Sequence, residues 1–407
     1  MTLPSRWIAC VGPFLFPWGE AGARRVHGLV GSMAAAGYHV VVGSGGPEPR
    51  EATPLPGLDG PGSVHHVGLG EVPPPTAGML ARSAQTLLLW GRRTVRWLDA
   101  QPTRPSHVVV NGGQAQYMVH LQRWCRRNDV PLIVDVVDWY NGRHVRGGYF
   151  GPLHASMKLA LRYYYPRCDG IIAISSRLEA HYQRSGTPVI RIPPTLDVKN
   201  LDVHARQRAD RTSDLTLVYA GNPHGNKKDL LATVVEAVRQ VDRAGARIEL
   251  RVYGPTPDEV RHLLGGRPTP SAVRCLGRLP QPMVTNALQE ADFSVLVRRP
   301  DRAMQAGFST KFCESLASGT PVIATLTSDL GRYLRHQVEG LVCADHSVAS
   351  VTEALHTAVR LDDTRRGLMR QAARSQALES FDYRTYAEPL GAFLRQWDRG
   401  RRGGVAR

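Results

Sequence analysis

Short, continuous apolar runs constrain this chain more than any other feature. Within residues 1–200 they are RWIACVG, HVVVGSG, HVVVNGG, PLIVDVVD, GIIAIS and PVIRIPP, and beyond residue 214 they are LTLVYAG, RIELRVYG, VRCLGRL, DFSVLVR, PVIAT and GLVCA. A strand with one face in water alternates apolar and polar residues. Most of these runs do not alternate, and glycine, serine or aspartate flanks them, as in parallel strands covered on both faces. Helical stretches such as RVHGLVGSMAAAG and LLATVVEAVRQVDRAG stand between them. The grammar predicts an α/β chain of two doubly wound, Rossmann-like domains, and 407 residues are too many for one ordinary core.

The polar stretch DVKNLDVHARQRADRTSD breaks the pattern, which places domains at 1–196 and 215–381 with a linker at 197–214. A last periodic segment lies within 382–398, and residues 399–407 are expected to be a disordered tail. No apolar run is long enough for a membrane-spanning helix. The opening stretch, interrupted by Pro13 and Pro17, reads as a first strand and its loop rather than a leader. Six cysteines without metal or redox spacing suit a reduced, cytoplasmic chain. The formal charge of +16 is spread out, with 21 basic and 12 acidic side chains in residues 1–200, so it marks no dense nucleic-acid patch. Only five of the 51 basic residues are lysines, an arginine bias that points to a GC-rich bacterial genome.

The stretch QAGFSTKFCESLASGTPVIAT, residues 305–325, reads as a loop, a helix of about two turns and a buried strand. Ser309 or Thr310 caps the helix, Gly319 ends it and Pro321 keeps it ended. Phe312, Cys313, Leu316 and Ala317 form an apolar stripe, with Lys311, Glu314, Ser315 and Ser318 on the other side. A buried charge needs a partner, so that polar side faces either water or a ligand. From the residues alone both readings stay open.

Three stretches carry a resemblance: YAGNPHGNKKDLL, RCLGRLPQPMVTNALQEADFSVLV and GFSTKFCESLASGTPVIAT. They resemble the donor-binding domain of family 4 glycosyltransferases, which have the GT-B fold, and weaker echoes lie at 12–42 and 168–197. The resemblance implies an acceptor-binding first domain, a nucleotide-sugar-binding second domain and a terminal helix packed back on the first, with ligands in the cleft between domains. It implies that Glu314 holds ribose hydroxyls and that the amides of Gly307, Phe308, Ser309 and Thr310 face the diphosphate and sugar. Lys227 aligns with the family's phosphate-binding lysine, and Lys228 replaces it if the loop shifts by one. Gly221, Asn222, Arg278 and Lys311 complete the donor set. In the first domain Asp138, near Asp135 and His144, is assigned to the acceptor, and Gly19, Gly22 and Arg24 or Arg25 to a loop beside the diphosphate.

Two positions depart from the family pattern. Ala306 stands where a glutamate usually meets the transferred sugar, and Asn222 replaces an arginine. Either the donor is a deoxy sugar, or Gln305 or Asp301 substitutes for the missing carboxylate. The chain has no Asp-x-Asp motif, so the expectation is a metal-independent site with no cofactor beyond a UDP-, GDP- or dTDP-linked co-substrate, and the resemblance implies that the transfer is retaining. The acceptor is expected to be a small secondary metabolite or an envelope lipid. Residues 79–100, with Trp90, Trp97 and several arginines, are either a helix covering the sheet or a peripheral membrane contact at the inner face. Three rivals are a degenerate GT-B binding protein, a DNA-modifying glucosyltransferase and a GT-B-fold epimerase.

Overall fold

The computed structural model describes residues 6–18, 21–58, 60–73, 78, 90–139, 148–203, 213–221 and 228–398. The chain divides after Asp197 and again after Asp382 into two compact units, the first of which takes back the C-terminal segment.

The first unit is built on an eight-stranded sheet in the order β3-β4-β2-β1-β5-β6-β7-β8. Its strands are β1 (Trp7–Val11), β2 (His39–Ser44), β3 (Thr53–Pro54), β4 (Ser63–Gly68), β5 (His107–Asn111), β6 (Leu132–Val136), β7 (Gly170–Ala173) and β8 (Val189–Arg191). All neighbours are parallel except β3 and β4. Ala9 in central β1 pairs with Val41 on one side and Val108 on the other. β1, β5, β6 and β7 are buried along their whole length, which is why they read as unbroken apolar runs.

Strands β3 and β4 escape the sequence pattern because SVHHVG carries two histidines. The ring of His66 is buried against Phe16 at 5.0 Å, and its Nε2 lies 2.9 Å from Ser44 Oγ. A hydrogen-bonded imidazole packs like a core residue.

Helix Ala21–Ala35 covers one face with Val26, Leu29, Val30 and Met33, and helix Ala387–Leu394 adds Leu390, Phe393 and Leu394 to the same core. A Cβ at Gly28 would fall 2.1 Å from Thr195 O, so only glycine lets this helix close on the segment after β8. Ser32 Oγ donates to Tyr383 O at 2.8 Å, and His107 Nε2 lies 3.0 Å from Leu394 O.

Residues 79–89 lie outside the described residues, but the end of that segment turns inward. The Trp90 indole donates to Glu71 O at 2.8 Å, and Trp97 stands edge-on to Trp7 at 5.9 Å. These two half-buried aromatics take part in the unit's packing. Among the described residues no helix is long and apolar enough to cross a bilayer.

The second unit holds a six-stranded sheet, all parallel, in the order β11-β10-β9-β12-β13-β14. Its strands are β9 (Leu215–Ala220), β10 (Ile248–Tyr253), β11 (Val273–Gly277), β12 (Phe293–Leu296), β13 (Val322–Thr325) and β14 (Gly340–Cys343), one for each apolar run. Val234, Val235 and Val238 of helix Leu231–Arg243 and Val351 and Leu355 of helix Val348–Arg360 share its core. The stretch read as a linker is held where it is described. Arg374 donates to Val198 O at 2.7 Å and to Leu201 O at 3.2 Å, and Gln289 donates to Asp202 O at 2.8 Å.

Burial pushes the His66 imidazole down from 6.5 to about 4. The unfolded chain therefore binds this proton first, and stability is lost as pH falls from 6.5 towards 4. His66→Gln should flatten that acid loss by up to about 3 kcal/mol, measured as denaturant midpoints at pH 7.5 and pH 4.5.

Candidate functional site

From β9 the chain steps outward to β10 and β11, then crosses back to lay β12, β13 and β14 on the other side. Open parallel sheets take ligands at the carboxyl ends of the strands where the order reverses, which here is between β9 and β12. Gly221 directly follows β9 and donates its amide to Tyr253 O at 2.9 Å. Gly254, at φ +119°, follows β10, and a Cβ there would lie 1.9 Å from Gly221 O. Only glycine permits both that conformation and that approach. A Cβ on Gly221 itself would fall 2.0 Å from Lys311 Nζ. The ammonium thus fills the volume that any other residue at 221 would need.

Helix Thr310–Ala317 presents this lysine. The short helix Arg302–Ala306 precedes it, and Ser309 occupies its N-cap position in an extended conformation, but the buried hydroxyl makes no capping hydrogen bond. Gly319, at φ +67°, ends it. Phe312, Cys313, Leu316 and Ala317 are fully buried, as the apolar stripe requires. The polar side divides. Ser315 and Ser318 are buried and donate back to Lys311 O and Glu314 O, both at 2.8 Å. Their hydroxyls are taken up within the helix. Lys311 and Glu314 remain, three residues apart on one side, lining a narrow crevice with Ala220 and Leu296. One Glu314 oxygen, Oε1, is out of reach of solvent.

An ion cluster holds Lys311. Its Nζ pairs with Asp229 Oδ2 and lies 3.4 Å from Tyr219 Oη and 4.7 Å from that ring's centre. Arg298 Nε donates to Asp229 Oδ1 at 2.6 Å, and the Tyr219 hydroxyl donates to Oδ2 at 2.9 Å. Burial alone would raise the Asp229 carboxyl, but Arg298 and Lys311 outweigh it and hold the group far below the usual range. Burial lowers the Lys311 ammonium, with Asp229 opposing. Burial, and then Asp229, push the Tyr219 phenol upward. Asp229 and Tyr219 lie inside the quoted stretch YAGNPHGNKKDLL yet were passed over. Arg298, one arginine among many, carried no signal at all.

The other expected residues fare unevenly. Gly19, Asn222, Lys227 and His144 lie outside the described residues. Lys228 is half-buried beside Asp229 and adds to the field that lowers Lys311. Arg278 is exposed, one residue past β11. The Gly307 amide is not available to a ligand, because it donates to Ala303 O at 3.1 Å. The Phe308 side chain belongs to an aromatic cluster, with Tyr333 at 5.8 Å and Phe381 at 6.0 Å, and the half-buried Thr310 opens the helix. Both stand-ins for the missing glutamate are engaged. Gln305 Oε1 accepts from Ser328 N at 2.8 Å, and Asp301 Oδ1 caps its helix by accepting from Met304 N at 2.9 Å. Ala306 is fully buried.

In the first unit Arg25 is removed from the loop's candidates. It is buried, pairs with Asp135 at 2.7 Å and donates to Ile192 O and Pro193 O at 2.8 and 2.6 Å. Arg24 remains, its guanidinium brought down to about 10 by burial. Gly22 has room for a Cβ, whose nearest neighbour would be Phe14 at 4.0 Å. Asp138 follows β6, and its Oδ1 accepts from Trp139 N at 2.8 Å, a strand-end turn. A cavity of about 420 Å³ opens at the amino end of β6 beside Arg126, Asp129, Arg167 and Asp169. That is the end of a doubly wound sheet opposite to the one where ligands bind.

Two parallel doubly wound units, with a lysine and a glutamate at the reversal point of the second sheet, define a GT-B protein. Residues 21–195 match the model of the glycosyl transferase 4-like domain, and residues 214–360 match that of glycosyl transferases group 1. Glycogen synthase from Mycobacterium tuberculosis is 23% identical, over 93% of this chain and 92% of its own. Sucrose-phosphate synthase from Thermosynechococcus elongatus superposes with a TM-score of 0.73 at 16% identity, over 96% of this chain and 99% of the other. Anabaena HepE, solved with UDP and glucose, gives 0.64 at 14% identity, again over 96% and 99%. The chain belongs to the group 1, family 4-like glycosyltransferases.

Gly254→Ala should lower stability by about 2–3 kcal/mol through the left-handed strain and the contact with Gly221 O, read as a fall in the denaturant midpoint.

Proposed function

We propose that the enzyme transfers a sugar from a nucleoside diphosphate to an acceptor hydroxyl, with retention at the anomeric carbon and without a metal ion. The observation that carries the reading is the Lys311 ammonium seated over the Gly221 backbone at the point where the second sheet reverses. An ammonium is a compact point charge suited to a phosphate, and the amides that open helix Thr310–Ala317 add a positive dipole end. Glu314, one turn further, takes the two ribose hydroxyls as a double acceptor. Lys227, outside the described residues, is assigned to the same diphosphate.

In the reaction the anomeric carbon exchanges its bond to the diphosphate oxygen for one to the acceptor oxygen, and the acceptor's proton leaves with the diphosphate. Charge gathers on the departing group, and Lys311, Lys227 and the helix end stabilise it there. Asp138 in the first unit is assigned to orient the acceptor hydroxyl, on a small metabolite or an envelope lipid. The family resemblance supports retention, and the lack of an Asp-x-Asp motif supports a metal-free site. HepE binds UDP, which makes uracil the first base to try. Ala306, with Gln305 and Asp301 both engaged, favours a donor sugar that lacks the hydroxyl a glutamate would hold.

A thermal-shift series of UDP, GDP, dTDP and ADP on wild type and Glu314→Ala tests this. One nucleotide at ~100 times its Kd should add about 2.7 kcal/mol to wild type and far less to the variant, whereas no shift with any of the four would reject the donor site. Turnover should survive EDTA, and NMR of the product should show the donor's anomeric configuration. Ala306→Glu, which forces a carboxylate into a buried site, should lower the melting temperature and give no gain in turnover with the native donor.

A further inference from the structure

Lys311 needs an explanation beyond the phosphate reading, because a bare ammonium does not stay charged and aimed in a buried site without help. Asp229 receives both cations of the cluster, Arg298 on Oδ1 and Lys311 on Oδ2, with the Tyr219 hydroxyl as a third donor. Its side chain is 5% exposed, against 13% for Arg298 and 27% for Lys311. The backbone fixes the Asp229–Arg298 half, since these residues form an antiparallel bridge and Leu230 N donates to Val297 O at 2.8 Å. Arg298 already balances the carboxylate. A purely structural ion pair would end there, yet the fold adds a second cation, leaves the cluster one positive charge in excess, and turns the more exposed member toward Gly221.

We propose that Asp229 is a positioning residue, which Arg298 clamps from one side so that its other oxygen holds the Lys311 ammonium over Gly221 as the anchor for one phosphate of the donor. This rests on the donor site proposed above and deepens it. The excess charge is the one that a phosphate completes, and the carboxylate is the group that keeps it available. Burial and the neighbouring cations work against the ammonium. Burial, Arg298 and Lys228 all favour loss of its proton. The Tyr219 phenol, pushed up by burial, stays neutral, and Glu314, three residues on in the same helix, is the other carboxylate lining that crevice.

The test is the pH dependence of UDP affinity above pH 7, by calorimetry on the full chain, with uridine as the control that lacks phosphates. Lys311→Ala should weaken UDP roughly ten- to hundredfold, the worth of a charge-assisted hydrogen bond, and leave uridine unchanged. In Asp229→Asn the affinity should fall with rising pH at a point roughly one to three pH units below the wild-type limb. Asp229→Asn combined with Lys311→Arg, whose guanidinium cannot lose its proton, should restore a flat profile. If Lys311→Ala leaves UDP binding intact, the donor-site reading itself fails. If Lys311→Ala weakens UDP but Asp229→Asn keeps the wild-type profile, the donor site stands and the role given to Asp229 is wrong. Should Asp229→Asn not fold, Arg298→Gln keeps the carboxylate–ammonium pair. It must then move the limb upward, and a limb that does not move overturns the proposal.

Discussion

One carboxylate draws three other pieces of the second unit to its own. Asp229 joins Tyr219 from the end of β9, Arg298 from beyond β12 and Lys311 from the helix before β13. Taking charges out of water is expensive unless each finds partners, so the cluster is stable only as a whole. Its position is not arbitrary. Strand ends leave backbone groups without ladder partners, and the sheet's reversal opens a gap that no crossover helix fills. The fold places its costliest polar group where the architecture already leaves space for a ligand. The glycines at 221 and 254 follow from this, since the space above each is taken by Lys311 Nζ or by the Gly221 carbonyl.

The two units handle buried charge differently. In the first, Arg25 and Asp135 match one cation to one anion, and the remaining guanidinium donors go to the carbonyls of Ile192 and Pro193. That pair is satisfied within the protein and ties helix Ala21–Ala35 to β6 and to the segment after β8. In the second unit two cations share one anion. Complete pairing serves the fold, and incomplete pairing invites an anion. That pairing takes Arg25 out of reach of a ligand, which no sequence pattern could show.

The architecture was legible because parallel strands buried on both faces must be apolar throughout, and all six runs of the second half became its six strands. What escaped was β4, whose His66 is buried through a hydrogen bond to Ser44 that spacing does not reveal. In the site, the apolar stripe of helix Thr310–Ala317 is as the spacing predicts, but the sequence does not show that the Ser315 and Ser318 hydroxyls are taken up within the helix. A serine's alternative, donating to the carbonyl four residues back, looks the same in sequence as a surface position. Asp229 was missed for a related reason. A carboxylate beside two lysines reads as a solvated helix start until the segment after β12 that carries Arg298 is folded against it.

The return of the chain to its first unit fixes an order on folding. Residues 198–382 are continuous, and their core is complete as soon as they have been made. The first unit is made earlier but needs Leu390, Phe393 and Leu394 to close over helix Ala21–Ala35, with His107 at Leu394 O and Ser32 at Tyr383 O. Chains are synthesised from the amino end and domains fold as units. The half of the protein that begins first is thus the half that finishes last, and it holds an uncovered strip of valine, leucine and methionine while the second unit is built behind it.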